Sequence, residues 1–149
     1  MGPSENPSRS VTAESGRAGV LATDIRTGPH RLRADEPVSA GGQATGPDPF
    51  EYLLAGLGAC TAMTLRLYAD RKGWPLEYAT VVVRHDVHAG PSERAVFTRE
   101  IALEGELSDL ERARLMEIAE HCPVGRALAA GVEIRSTLLA APQVGEATS

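Results

Sequence analysis

The stretch YLLAGLGACTAMTLRLYA, residues 52–69, decides how the rest of the chain must be arranged. From Tyr52 to Met63 almost every side chain is apolar or small. A helix here has no wet face, and such a helix must be enclosed by other structure. It is therefore read as a buried central helix, lying beneath sheets or between subunits. Asp48 fits its N-cap, Pro49 its first position, and Glu51 the place where a capping box wants a carboxylate. Gly73 stops it after about Lys72, with Pro75 beyond. Gly56 and Gly58 each cost about 1 kcal/mol relative to Ala inside a helix. That cost points to close approach of another backbone.

Upstream, Val20 to Ile25 and His30 to Ala34 read as a hairpin turning at Thr27-Gly28-Pro29. VSAGGQATGPDPF, ahead of the helix, is too rich in Gly and Pro for regular structure. Downstream, EYATVVVRHDVHAG and RAVFTREIALEGEL alternate apolar and polar residues around AGPSE, which gives a second hairpin, wet on one side. SDLERARLMEIAEHC is a helix with Ser108 and Glu111 as a capping box. Leu110, Ala113, Leu115, Ile118 and Ala119 form its apolar stripe. Pro123 breaks that helix and opens another, VGRALAA, closed by Gly131, and VEIRSTLLA reads as a last strand. Residues 1–16 read as a disordered polar arm, 17–140 as one domain and 141–149 as a flexible tail.

At 149 residues the chain can bury a core that needs no metal or disulfide staple. Fifteen Lys and Arg stand against twenty Asp and Glu, with no basic block, which argues against nucleic acid as a partner. The first residues lack the cationic end and apolar run of a secretory signal. No stretch approaches the roughly 18 apolar residues that span a bilayer. A cytoplasmic protein that does not enter membranes is the expectation. In a reducing compartment, two cysteines that meet are expected to cycle rather than to crosslink permanently.

The two cysteines are Cys60, in the middle of the central helix, and Cys122, just before Pro123. Cys122 sits at a helix N-cap, where unpaired N–H groups and the positive end of the dipole favour a thiolate. Cys60 is desolvated, which raises a thiol pKa, so it needs a cation from elsewhere to act as a nucleophile. On residues alone, both cysteines also fit as small apolar fillers. Zinc bound by Cys60, His121 and Cys122 would need a fourth ligand that the spacing does not supply. A cysteine hydrolase would need a base beside the thiol, and His121, adjacent to Cys122, points to another face. His30, His85 and His88 read as strand surface residues.

Residues 35–77, DEPVSAGGQATGPDPFEYLLAGLGACTAMTLRLYADRKGWPLE, together with HCPVGRAL at 121–128, resemble the osmotically induced protein C (OsmC) and organic hydroperoxide resistance family. The likeness covers about residues 20 to 138. It implies an α+β fold, with antiparallel sheets around the central helix in an intertwined homodimer. It also implies thiol peroxidation without a cofactor. Cys60 would attack an organic hydroperoxide and become a sulfenic acid, Cys122 would resolve it as a disulfide, and a dithiol such as a lipoyl group or thioredoxin would reduce the pair. The apolar pocket would suit fatty or aromatic hydroperoxides, in oxidative or osmotic stress defence.

The hydroperoxide branch uses an arginine near the end of the first strand to hold the thiolate, and a glutamate at the start of the central helix to hold that arginine. Arg26 matches the first by its place before the turn, in competition with Arg31 and Arg33. That branch has Asn-Pro-Glu where this chain has Asp48-Pro49-Phe50-Glu51, so the acid comes one place late. At about 100° per residue, the nine positions from Glu51 to Cys60 turn the two to opposite faces. The chain thus reads as a different branch. Gly125 also stands where related sequences carry a larger polar residue, which would widen the pocket mouth. The alternative is a non-enzymatic, stress-induced dimer whose dry pocket binds a small hydrophobic ligand.

Overall fold

The computed structural model describes residues 9–86 and 94–140. They divide into two compact units, one of the residues up to Pro49 together with those from Ser136, the other spanning Phe50–Arg135.

In the first unit, β1 (Thr12–Ser15), β2 (Thr23–Thr27) and β3 (His30–Ala34) make an antiparallel sheet in the order β1-β2-β3. Gly28 takes a φ of 54° in the turn between Thr27 and His30, which are paired in register. Strand β1 corrects the reading of residues 1–16 as a disordered arm. Thr12 to Ser15 pair with Arg26 to Thr23, and the backbone ladder, rather than any apolar alternation in TAES, makes the strand. The loop before the central helix holds one 3-10 turn at Val38–Ala40.

In the second unit, α1 runs Pro49–Lys72 and ends at Gly73, whose φ is 70°. β4 (Tyr78–Asp86) and β5 (Val96–Glu104) pair antiparallel, with Val83 opposite Arg99 and His85 opposite Phe97. Helices α2 (Asp109–Ala119) and α3 (Pro123–Ala130) follow. Ser108 starts α2 with both arms of a capping box: its Oγ accepts from Glu111 N–H at 3.1 Å, and its own N–H donates to Glu111 Oε2 at 2.8 Å.

The buried positions of α1 are Leu57, Thr61, Leu65 and Ala69, every fourth residue. That spacing makes one ridge. Leu65 and Ala69 meet Leu76, Leu115, Ile118 and Ala119 in the core, with Tyr68, Trp74, Ile101 and Leu103 packed around it. Burying a leucine as fully as Leu65 or Leu115 contributes roughly 2 to 3 kcal/mol each.

Within a single chain the central helix has an exposed side, Met63 being 65% and Leu67 62% exposed. A single chain covers only the ridge facing β4, β5 and α2. The stripe of α2 is narrower than its periodicity suggested, with Leu110 84% exposed and Ala113 exposed, because Leu115, Ile118 and Ala119 alone reach the core. Residues 132–140 form no strand, since no strand among the described residues pairs with them. His88 and the AGPSE connection lie outside the described residues, as does the tail from 141.

Of the helix glycines, Gly58 is approached by a side chain rather than by the expected backbone: a Cβ there would stand 3.3 Å from Val83 Cγ2 of β4. Gly56 faces open space.

Candidate functional site

The site forms where the middle of α1 meets the start of α3. Pro123 has no N–H to leave unsatisfied, and its fixed φ starts α3 directly after Cys122. Cys122 is then the N-cap, and its Sγ accepts from Gly125 N–H at 3.3 Å. The backbone N–H of Val124, at the same helix start, is among the groups that favour negative charge on Cys60. One helix N-terminus therefore serves both sulfurs, and its dipole favours negative charge on either. The two thiols lie near enough for each to shift the other's ionisation, and both are free. Cys122 has no exposed surface, whereas Cys60 is half-buried.

The thiols are tuned in opposite directions. Burial pushes Cys60 up, and the neighbouring Cys122 adds to the rise, against weaker help from the Val124 N–H and the Thr64 hydroxyl. Burial acts on Cys122 as well, but it is outweighed by the Thr61 hydroxyl, the Gly125 N–H, the Cys60 side chain and the charge of Arg99. Its pKa comes down.

Arg99 was missed in the sequence. It lies on the inner face of β5, in line with Phe97, Ile101 and Leu103. A charge at an inward position of an alternating strand was the signal that could have found it. Its Nη1 donates to Thr61 Oγ1 and to the Ala119 carbonyl, both at 3.0 Å, and its Nη2 stands 3.3 Å from Glu120 Oε2.

A cleft of about 360 Å³ opens at Gly125, with Leu57, Phe97, Arg94, Arg99 and Leu128 also in its walls. A Cβ added at Gly125 would come within 3.4 Å of Cys122 Sγ and of Leu57 Cδ1. Gly125 thus separates the cleft from the buried sulfur by the thickness of a backbone. Phe50 stacks on His85 at 4.6 Å, and His85 meets Phe97 edge-on at 5.3 Å. His85 is therefore an inner-face residue holding the start of α1 to the hairpin, not the surface residue that was expected.

Of the four residues singled out in the sequence, Cys60 and Cys122 are brought together. Glu51 is exposed in the first turn of α1, and because that helix is continuous it lies on the side away from Cys60. Arg26 belongs to the first unit, on β2, with an ion pair to Glu14 at 3.7 Å. Among the described residues no three His, Cys, Asp or Glu side chains cluster so as to hold a metal ion. None of the helices among them is long and apolar enough to cross a membrane.

Fold and site together define an α+β protein with a pair of unlike thiols set between two helices. The family model described as OsmC-like protein matches residues 41–137, more than half of the sequence, and the chain belongs to that family. The resemblance carried by the two cysteine motifs is thereby shown. Among solved structures it is similar to an OsmC-like protein from Mycoplasma pneumoniae, at 18% identity and a TM-score of 0.71 over 83% of this chain and 89% of that one. It is also similar to an organic hydroperoxide resistance protein OsmC from Legionella pneumophila, at 21% identity and a TM-score of 0.63 over 81% and 88%. At these identities the likeness speaks for the fold. No curated protein sequence matches the chain.

Proposed function

We propose that this chain is a thiol-dependent peroxidase for organic hydroperoxides. The observation that carries the reading is the pairing of two free, oppositely tuned thiols next to a cleft whose walls mix Leu57, Phe97 and Leu128 with Arg94 and Arg99. The Cys60 thiolate attacks the terminal oxygen of the hydroperoxide and the O–O bond breaks. The alcohol leaves with a proton, and Cys60 becomes a sulfenic acid. The Cys122 thiolate then attacks the Cys60 sulfur, expelling hydroxide, which takes up a proton as water, and a disulfide forms. A dithiol, lipoyl or thioredoxin-like, returns both sulfurs to thiols. A cleft of about 360 Å³ accepts a ligand with a small apolar body.

Cys60 needs a cation, since burial opposes its ionisation. Arg26 is proposed to supply it, with Glu51 either orienting Arg26 or capping α1. A homodimer is part of the same reading: Met63, Leu67 and Tyr78 form an exposed apolar band along α1 and β4, suited to cover by a second copy. Oxidative stress defence in the cytoplasm is the setting proposed.

Stopped-flow consumption of cumene hydroperoxide tests the reading. Wild type reacts far faster than free thiol, Cys60→Ser abolishes turnover, and Cys122→Ser stops after one event with sulfenic acid trapped. A wild-type rate no higher than that of free thiol removes the proposal. A second reading, a dimer that binds a hydrophobic ligand, draws on the upward shift of Cys60. It requires no mass change after one equivalent of peroxide, whereas the peroxidase loses two hydrogens to a disulfide.

A further inference from the structure

Arg99 is directed at groups that call for a full positive charge only if an anion stands beside them. Its side chain is 17% exposed, while that of Glu120, the carboxylate it touches, is 75% exposed. A pair with so exposed a partner repays little of the desolvation of a mostly buried guanidinium. The other contacts are more telling. Arg99 Nη1 occupies a lone pair of Thr61 Oγ1. The single proton of that hydroxyl is donated to the Leu57 carbonyl at 2.8 Å, and the same hydroxyl is among the groups that favour the thiolate of Cys122. An ionised Cys122 would compete with that carbonyl for the hydroxyl proton, and its sulfur already holds the Gly125 N–H at 3.3 Å.

We propose, resting on the thiol-redox reading above, that Arg99 is a positioning residue which acts through the Thr61 hydroxyl to fix Cys122 as the leaving thiolate of the pair, so that the regenerating dithiol attacks Cys60. Exposure points the same way, because Cys122 offers no surface to an incoming thiol and Cys60 does. A thiolate of the reductant attacks Cys60 Sγ. The bond between the cysteines breaks, and its electron pair goes to Cys122 Sγ. The second thiol of the reductant gives its proton to water and attacks the first sulfur. This closes the reductant's own disulfide and expels Cys60 as a thiolate, which takes up a proton. Two electrons pass from dithiol to protein. A more acidic thiol leaves faster, so the opposite tuning of the two cysteines favours this direction.

The titratable and charged groups around Cys122 are Cys60 from α1, Arg99 from β5 with Glu120 at the end of α2, Arg94 in the cleft wall, and the exposed His121 and Arg126 beside it in the chain. Of these, Arg99 alone reaches the sulfur through a buried hydroxyl.

Two measurements test the proposal, and neither requires peroxidase activity. In Cys60→Ser, the thiolate absorbance of Cys122 near 240 nm is followed as pH rises. Arg99→Met and Thr61→Val each move the midpoint upward, and Arg99→Lys restores part of the difference. A midpoint that none of the three moves overturns the role of Arg99.

Next, the disulfide is made with diamide, opened with excess 2-mercaptoethanol and quenched with iodoacetamide. The mercaptoethanol adduct maps to Cys60 and the carbamidomethyl group to Cys122, and opening is about tenfold slower in Arg99→Met, one charge-assisted hydrogen bond's worth. An adduct on Cys122, or no disulfide at all, overturns the proposal. If the adduct maps to Cys60 in a protein that does not consume hydroperoxide, the peroxidase reading fails and this one stands.

Discussion

Asp35 and Arg99 are both largely withdrawn from water, yet they are satisfied in opposite ways. Asp35, 3% exposed at the end of β3, accepts from the Glu36, Gln43 and Thr45 amides and from the Thr45 hydroxyl at 2.6 Å. Those bonds, led by the Thr45 hydroxyl, hold its carboxyl at about 2. Every donor lies within ten residues along the chain, and the result is a closed loop. The hydrogen-bond partners of Arg99 lie 38 and 20 positions away, on α1 and α2, and a titratable sulfur stands behind one of them. A buried charge satisfied by its own loop staples that loop. One satisfied across elements, beside an ionisable group, sets the chemistry of that group.

The comparison breaks most readily at Arg99. Replacing it with Ala removes two charge-assisted bonds and leaves the Thr61 oxygen and the Ala119 carbonyl short of a donor. With little added for the exposed Glu120, the cost is about 2 to 4 kcal/mol, read from the urea midpoint at constant slope. A loss under about 1 kcal/mol would mean that the cross-element contacts do not hold the hairpin to α1 and α2, and the distinction from Asp35 would collapse.

The loop comes next. A Cβ at Gly42 would collide with the Glu36 carbonyl oxygen and crowd Asp35 Oδ1. Backbone stands in the way, so the loop must open and the carboxylate must lose donors. Gly42→Ala is expected to cost roughly 1 to 3 kcal/mol, read from thermal unfolding. It should leave the Cys122 titration unchanged, since the carboxylate and its donors all lie in the first unit.

The same contrast explains what could be read from sequence. Elements fixed by local rules were legible: Pro49 and Gly73 bound α1, Ser108 with Glu111 starts α2, and Pro123 and Gly131 bound α3. So were the two cysteine motifs. Elements made by pairing with distant chain were not. Thr12–Ser15 carries no apolar alternation and is a strand only because β2 lies beside it. Residues 132–135 do alternate, but a strand also needs a neighbour, and none of the described strands provides one. His85 looked like surface because a lone histidine on a strand gives no hint that Phe50, at the start of a helix, will stack on it. Arg99 could be placed on the inner face by counting along β5, but Thr61 and Ala119 become its partners only when the chain folds.

The smallest effect expected belongs to Asp35 itself, and its sign follows from the direction of the shift. Its folded pKa, about 2, lies below the value near 4 of an unfolded aspartate. The unfolded chain therefore binds the proton first as pH falls. The loop's contribution to stability is whole above about pH 4 and disappears as the pH drops through 2. The amide shifts of Gln43 and Thr45, followed by NMR from pH 5 downward, should titrate together with a midpoint near 2, and Asp35→Asn should abolish that step. A shared midpoint near 4 would show a carboxylate that gains nothing from its four donors. Asp35 would then be a solvated side chain, and Arg99 would have no structural counterpart in the loop to be measured against.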